Sequence, residues 1–88
     1  GGATADAVGR RLARLAEDAQ VLVVTHSPQV AALGATHFCV AKQVDDGMTT
    51  SRVHALSRTE QVDEIARMLS GEQITDAARD AARALIGN

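Results

Sequence analysis

The sequence predicts an α/β fold with an incomplete sheet, in the order helix, buried parallel strand, helix, β-hairpin and two helices. Three observations carry that expectation. Val21-Leu22-Val23-Val24-Thr25 is apolar and largely β-branched without alternation, the pattern of a strand buried on both faces inside a parallel sheet. His37–Val44 and Thr49–Leu56 flank Asp45-Asp46-Gly47-Met48, the pattern of two antiparallel strands around a tight turn. No second doubly apolar strand occurs in the 88 residues. The parallel partners are therefore expected from outside the chain. It reads as the C-terminal portion of a larger α/β domain whose sheet lies mostly upstream, or as a chain that receives strands from a second one. Gly1-Gly2, with no Met and a helix directly after, fits the reading as a fragment.

Composition sets the broad class. Hydrophobic residues make up 45% and charged residues 23%, a globular rather than a disordered balance. Seventeen alanines against one Phe and no Trp or Tyr favour helices with small, closely packed faces over an aromatic β core. The longest strictly apolar run, Val21–Val24, is far short of the roughly 20 residues of a membrane span, and no basic-then-apolar leader precedes it. No membrane partner and a cytoplasmic setting are expected. Lone Cys39 rules out an internal disulfide and a multi-cysteine metal site. Eight Arg and one Lys face eleven acids, giving a net charge of −2. That balance argues against a duplex-binding surface supplied by this segment alone, because phosphate neutralisation needs an excess of cations.

The elements divide the chain into four stretches. Within residues 1–20, a helix from about Thr4 to Asp18 places Val8, Leu12, Leu15 and Ala19 at helical spacing, with Thr4 as N-cap and Asp6 in the first turn. Arg10, Arg11 and Arg14 fall off that stripe, as a solvated face or as a phosphate or DNA contact. Residues 21–35 hold the apolar strand, then Ser27 as N-cap, Pro28 at the first helical position and a short helix to Gly34. Residues 36–56 form the hairpin. Residues 57–88 form two C-terminal helices. Ser57-Arg58-Thr59-Glu60 has the capping-box spacing, and Val62, Ile65, Ala66 and Leu69 share a face of the helix that stops near Gly71. The last helix, about Thr75 to Ile86, turns Ala78, Ala81, Ala82 and Leu85 inward. Asp76/Arg79, Asp80/Arg83 and Asp63/Arg67 have the spacing of helical ion pairs, each worth about 0.2–0.5 kcal/mol.

The stretch richest in chemistry is Thr25-His26-Ser27-Pro28. A Thr-His pair there closes the buried strand just before a helix start, and open α/β sheets bind ligands outside the carboxyl ends of their strands. Helix N-termini add free N–H groups suited to anions, and an imidazole can donate a hydrogen bond to a phosphate oxygen. The competing reading is that His26 caps the strand on a backbone carbonyl. His37, Cys39 and His54 invite a zinc site, but structural zinc takes four ligands and no fourth is evident, so no metal is expected. Cys39 at a core strand position would be inert. Asp45-Asp46-Gly47 is explained by turn chemistry without a cation, and Met68 by packing.

Three segments, in order and spacing, resemble the C-terminal end of the RecN family of bacterial recombination and repair ATPases related to SMC proteins. These are Gly1-Gly2 running into Ala7-Val8-Gly9-Arg10-Arg11-Leu12, then Val23-Val24-Thr25-His26-Ser27-Pro28-Gln29-Val30-Ala31, then Glu64-Ile65-Ala66-Arg67-Met68-Leu69-Ser70-Gly71 with Ile74-Thr75. Leu is more usual at the position of Ser27. The resemblance implies the C-terminal lobe of an ABC/SMC-type P-loop ATPase head. It implies that two such heads sandwich ATP as a homodimer and act on DNA in double-strand-break repair. His26 would be the switch histidine, catalytic and in contact with the γ-phosphate, while Gly1 and Gly2 would follow the D-loop at the dimer interface. ATP and Mg²⁺ are cofactors of the full-length protein, and the upstream half of the head is the first partner. Walker A, the signature motif and the Walker B acids are upstream in the family; here no Gly-x-x-x-x-Gly-Lys-Ser/Thr exists and the one lysine, Lys42, falls in a strand. The segment alone is thus expected to bind ATP weakly and hydrolyse none. Two other readings stand beside this one. One is a non-catalytic interaction or dimerisation module, marked by an unpartnered apolar stripe on Thr75–Ile86. The other is the same lobe of another SMC or ABC ATPase.

Overall fold

A computed structural model describes residues 1–87; Asn88, the end of the C-terminal helical stretch, lies outside the described residues. The order is α1 (Gly2–Leu15), α2 (Pro28–Ala31), β1 (Phe38–Asp45), β2 (Met48–Ala55), α3 (Arg58–Ser70) and α4 (Asp76–Ile86). Among the described residues the fold is α/β, four helices with one two-stranded antiparallel sheet. Helix packing runs α1 on α2, α2 on α3 and α3 on α4, while the two strands of the hairpin pack chiefly on each other.

Capping chemistry sets the helix starts. Ser57 Oγ accepts from the Glu60 N–H (3.2 Å), and Glu60 Oε1 accepts from the Ser57 N–H (2.9 Å), completing the expected box. Thr75 Oγ1 accepts from the Ala78 N–H at 3.0 Å and starts α4. These bonds satisfy N–H groups that a helix leaves open in its first turn. The box also makes α3 sensitive to acid. The Ser57 amide, then its hydroxyl, hold the Glu60 carboxyl below its ordinary range. A depressed carboxyl pKa stabilises the fold above the ordinary glutamate range, and that contribution is lost as pH falls through the lowered pKa. The Ser57, Glu60 and Gln61 amides are therefore expected to lose hydrogen-exchange protection in acid, and Glu60→Gln, whose amide oxygen still accepts, to remove the pH dependence. Identical acid profiles for the two proteins would rule this out.

The core is small. Ala32, Val62, Ile65, Ala66, Ala78 and Ala82 are buried, with Ala31, Met68, Ile74, Leu85 and Ile86 packed around them. Four of the six are alanines, so α3 and α4 approach closely over short side chains. Leu69 and Ala81, expected inward, are exposed. The Asp63/Arg67 pair also differs. Arg67 bonds Glu64 instead (Nε to Oε2, 3.0 Å), while Asp63 accepts from Arg79 Nε on α4 at 3.0 Å, so it ties the two helices together. Asp76/Arg79 and Asp80/Arg83 form as spaced.

The hairpin register pairs Phe38 with Ala55 and Asp45 with Met48, leaving Asp46-Gly47 as a two-residue loop. Their φ values of 50° and 77° are those of a type I′ turn, which matches the strand twist. Residues directly opposite share a face, so Phe38, Val40, Val44, Val53 and Ala55 lie on one side with Lys42, Ser51 and Thr49 among them, and that side is exposed.

Residues 21–25, expected as a doubly buried strand, form no strand here. Leu22 is 84% and Val24 97% exposed. A strand exists only through its ladder, and no parallel neighbour is present among the described residues. The first helix is corrected too. It begins at Gly2 with Gly1 as N-cap, placing Thr4 inside the helix and no acid in its first turn, and it ends at Leu15 rather than Asp18. Val8 is 47% and Leu15 61% exposed; what α1 buries is Gly9. The short helix stops at Ala31 instead of Gly34.

The accessible surface is 6521 Å², against about 4,900 Å² for a folded monomer of 9.2 kDa. The radius of gyration, 14.1 Å, exceeds the roughly 12 Å of a domain of this length. The surplus surface is where the unpaired apolar segment and the open hairpin face lie.

Candidate functional site

The stretch from Thr25 to Gln29 is organised by short side-chain bonds. Thr25 Oγ1 accepts from the Ser27 N–H at 2.9 Å. The bond closes an ST-turn whose middle residue is His26, which fixes the backbone there without regular structure. Ser27 Oγ accepts from the Val30 N–H at 3.4 Å and donates to Gln29 Oε1 at 3.1 Å. Ser27 thus caps α2 as its sequence position suggests, with Pro28 at the first helical position. His26 is exposed, so its imidazole is open to a ligand.

Packing of α1 on α2 brings a second element to this turn. Gly9 is buried, and a Cβ there would stand 3.4 Å from Val30 Cα and 3.6 Å from the Gln29 carbonyl oxygen. The missing side chain is what lets the two helix backbones approach. Seven residues earlier on the same helix, a Cβ on Gly2 would stand 3.5 Å from Gln29 Nε2. Gly2 and the His26 turn, far apart in sequence, meet through Gln29. Gly1 is exposed, and its carbonyl accepts from the Ala5 N–H at 3.1 Å. The sequence signal for the close approach was a lone glycine inside an otherwise helical pattern, which usually has a packing reason.

No family model matches the chain. It is 52% identical over 86 residues to the DNA repair protein RecN of Deinococcus radiodurans and 48% identical over 86 residues to that of Streptomyces coelicolor. It is 42% identical over 85 residues to the DNA repair protein RecN of Bacillus subtilis. These alignments cover 97–98% of this chain. The chain belongs to the RecN family. It corresponds to the C-terminal part of RecN and spans about 15% of the length of the curated relatives it matches.

Within this RecN segment the remaining candidates are dispersed. Arg10, Arg11 and Arg14 are exposed along α1, and Arg10 Nε bonds Asp6 Oδ2 at 2.9 Å. Lys42 lies in β1. Cys39 is a half-buried free thiol opposite His54 in the register, while the His37 carbonyl accepts from the Leu56 N–H. Among the described residues no three of His, Cys, Asp and Glu gather in a way that could hold a metal ion. Asp45-Asp46-Gly47 is occupied by the hairpin turn, and Met68 packs against the core. Among the described residues no helix is long and apolar enough to cross a membrane. Sequence reading missed buried Gln61, whose Nε2 has no partner among the described residues; only an apolar-side position in α3 hinted at its burial.

Proposed function

We propose that this chain is the C-terminal lobe of an ABC/SMC-type ATPase head, and that the full-length protein couples ATP binding and hydrolysis to head dimerisation in DNA repair and recombination. The observation that carries this reading is the exposed apolar segment ending in the His26 turn. Val21–Val24 has the composition of a central strand and stands unpaired. Some 85% of the relatives' length lies outside the chain, ample to supply parallel neighbours. Once paired, Thr25-His26 falls at the carboxyl end of the sheet, where α/β proteins bind ligands.

In this reading His26 is the residue of the chain that would touch the γ-phosphate of ATP. Its exposed imidazole suits the task because an N–H can donate to a phosphate oxygen in each protonation state. ATP supplies the phosphoryl group, and Mg²⁺ the charge that neutralises it. No cluster among the described residues fits Mg²⁺, so its ligands would come from the rest of the head, with Walker A, the signature motif and Walker B. Gly1 and Gly2 follow the D-loop and approach a second head in an ATP-sandwiched homodimer. DNA is met elsewhere in the full-length protein, and the setting is the cytoplasm and nucleoid.

The interaction-module reading called for an unpartnered apolar stripe on α4. Instead, Ala78 and Ala82 are buried and Leu85 and Ile86 pack on the same core. The matches to RecN relatives favour repair over another SMC or ABC role. The test is ATPase activity of this chain mixed with the remainder of the protein. Activity is expected only when both are present and only with His26 intact. Associated halves that stay inactive would count against the ATPase-head reading.

A further inference from the structure

The geometry points to Gln29 as a positioning residue for the His26 turn, an inference that rests on the nucleotide role given to His26 above. Gln29 is half-buried, and its side-chain oxygen is hydrogen-bonded. Its Oε1 accepts from Ser27 Oγ at 3.1 Å. The same hydroxyl receives the Val30 N–H, and the Ser27 N–H is bound by Thr25 Oγ1 at 2.9 Å. One chain of bonds therefore runs from Gln29 through Ser27 to Thr25 and passes directly around His26. At its other end, Nε2 sits where a Cβ on Gly2 would be 3.5 Å away.

The Ser27 hydroxyl has the Gln29 amide oxygen as its acceptor, and that bond holds the residue whose N–H closes the turn carrying His26. Gln suits the position because its amide oxygen accepts from the hydroxyl. Glu keeps the acceptor and loses the donors; Leu keeps approximate volume and loses both.

The experiment compares Gln29→Leu, Gln29→Glu and His26→Ala in the full-length protein, reading kcat and KM for ATP together with thermal unfolding. Gln29→Leu is expected to lower kcat roughly three- to tenfold, the size of one lost hydrogen bond, with KM and the unfolding midpoint unchanged. Gln29→Glu is expected to recover most of that loss, because the Ser27 acceptor is restored. Wild-type kcat in Gln29→Leu overturns the inference, as does a loss that Gln29→Glu fails to recover or one that follows a lowered midpoint. Unchanged turnover in His26→Ala would instead remove the nucleotide role of His26, and the positioning role with it.

Discussion

His26→Ala in the full-length protein is expected to lower ATP turnover by about a hundredfold while leaving ATP affinity within about twofold. The magnitude is that of removing one preorganised donor aimed at charge that develops in the transition state. Affinity is spared because most contacts to a nucleotide come from its phosphate loop and base, and none of that apparatus is in this segment. His26 is exposed at the tip of an ST-turn, so replacing it removes no core contact. Turnover and binding measured on one preparation separate the outcomes. A parallel loss of both would make His26 a plain binding residue, and no loss of either would leave it a strand-end cap.

Ile65→Ala is expected to destabilise the α3–α4 unit by about 3–4 kcal/mol, in the upper part of the range for large-to-small core changes. Ile65 is the one large side chain fully buried among the described residues, at 0% exposure. Its neighbours in the core are mainly alanines, Ala32, Ala66, Ala78 and Ala82, whose methyl groups have no rotamer with which to close a cavity. Ile65→Val is expected to cost about 1 kcal/mol. Leu69→Ala, at a position 39% exposed, should cost less than about 1 kcal/mol. Opening free energies from hydrogen exchange of the α3 and α4 amides give all three numbers without requiring the whole protein to unfold in one step. Equal costs at positions 65 and 69 would mean that α3 buries a wider face than the structure shows.

The two residues at issue in that comparison show where reading the sequence stops. Ile65 and Leu69 are equally apolar and share a helical stripe, so periodicity alone ranks them together. The stripe is wider than α4, and α4 contributes a narrow alanine face, so the edge of the stripe remains outside. The same limit applies to α1. Val8 and Leu15 carried the hydrophobic pattern, yet the contact runs through Gly9, because close approach of two backbones depends on the absence of a side chain.

Local chemistry was legible without the fold. The tight turn at Asp46-Gly47, the capping box of Ser57 and Glu60, the cap at Ser27, and the pairs Asp76/Arg79 and Asp80/Arg83 each involve residues within four positions of one another. Steric preference and hydrogen-bond reach fix such features before any tertiary contact forms. The tertiary structure decided what lies between distant segments: the Asp63–Arg79 bridge, the alanine-lined core, and the meeting of Gly2 with Gln29 beside His26. It also decided the state of Val21–Val24. An apolar β-branched run carries the side chains of a central strand, but its backbone N–H and C=O groups need neighbours to bond, and those are not among these residues.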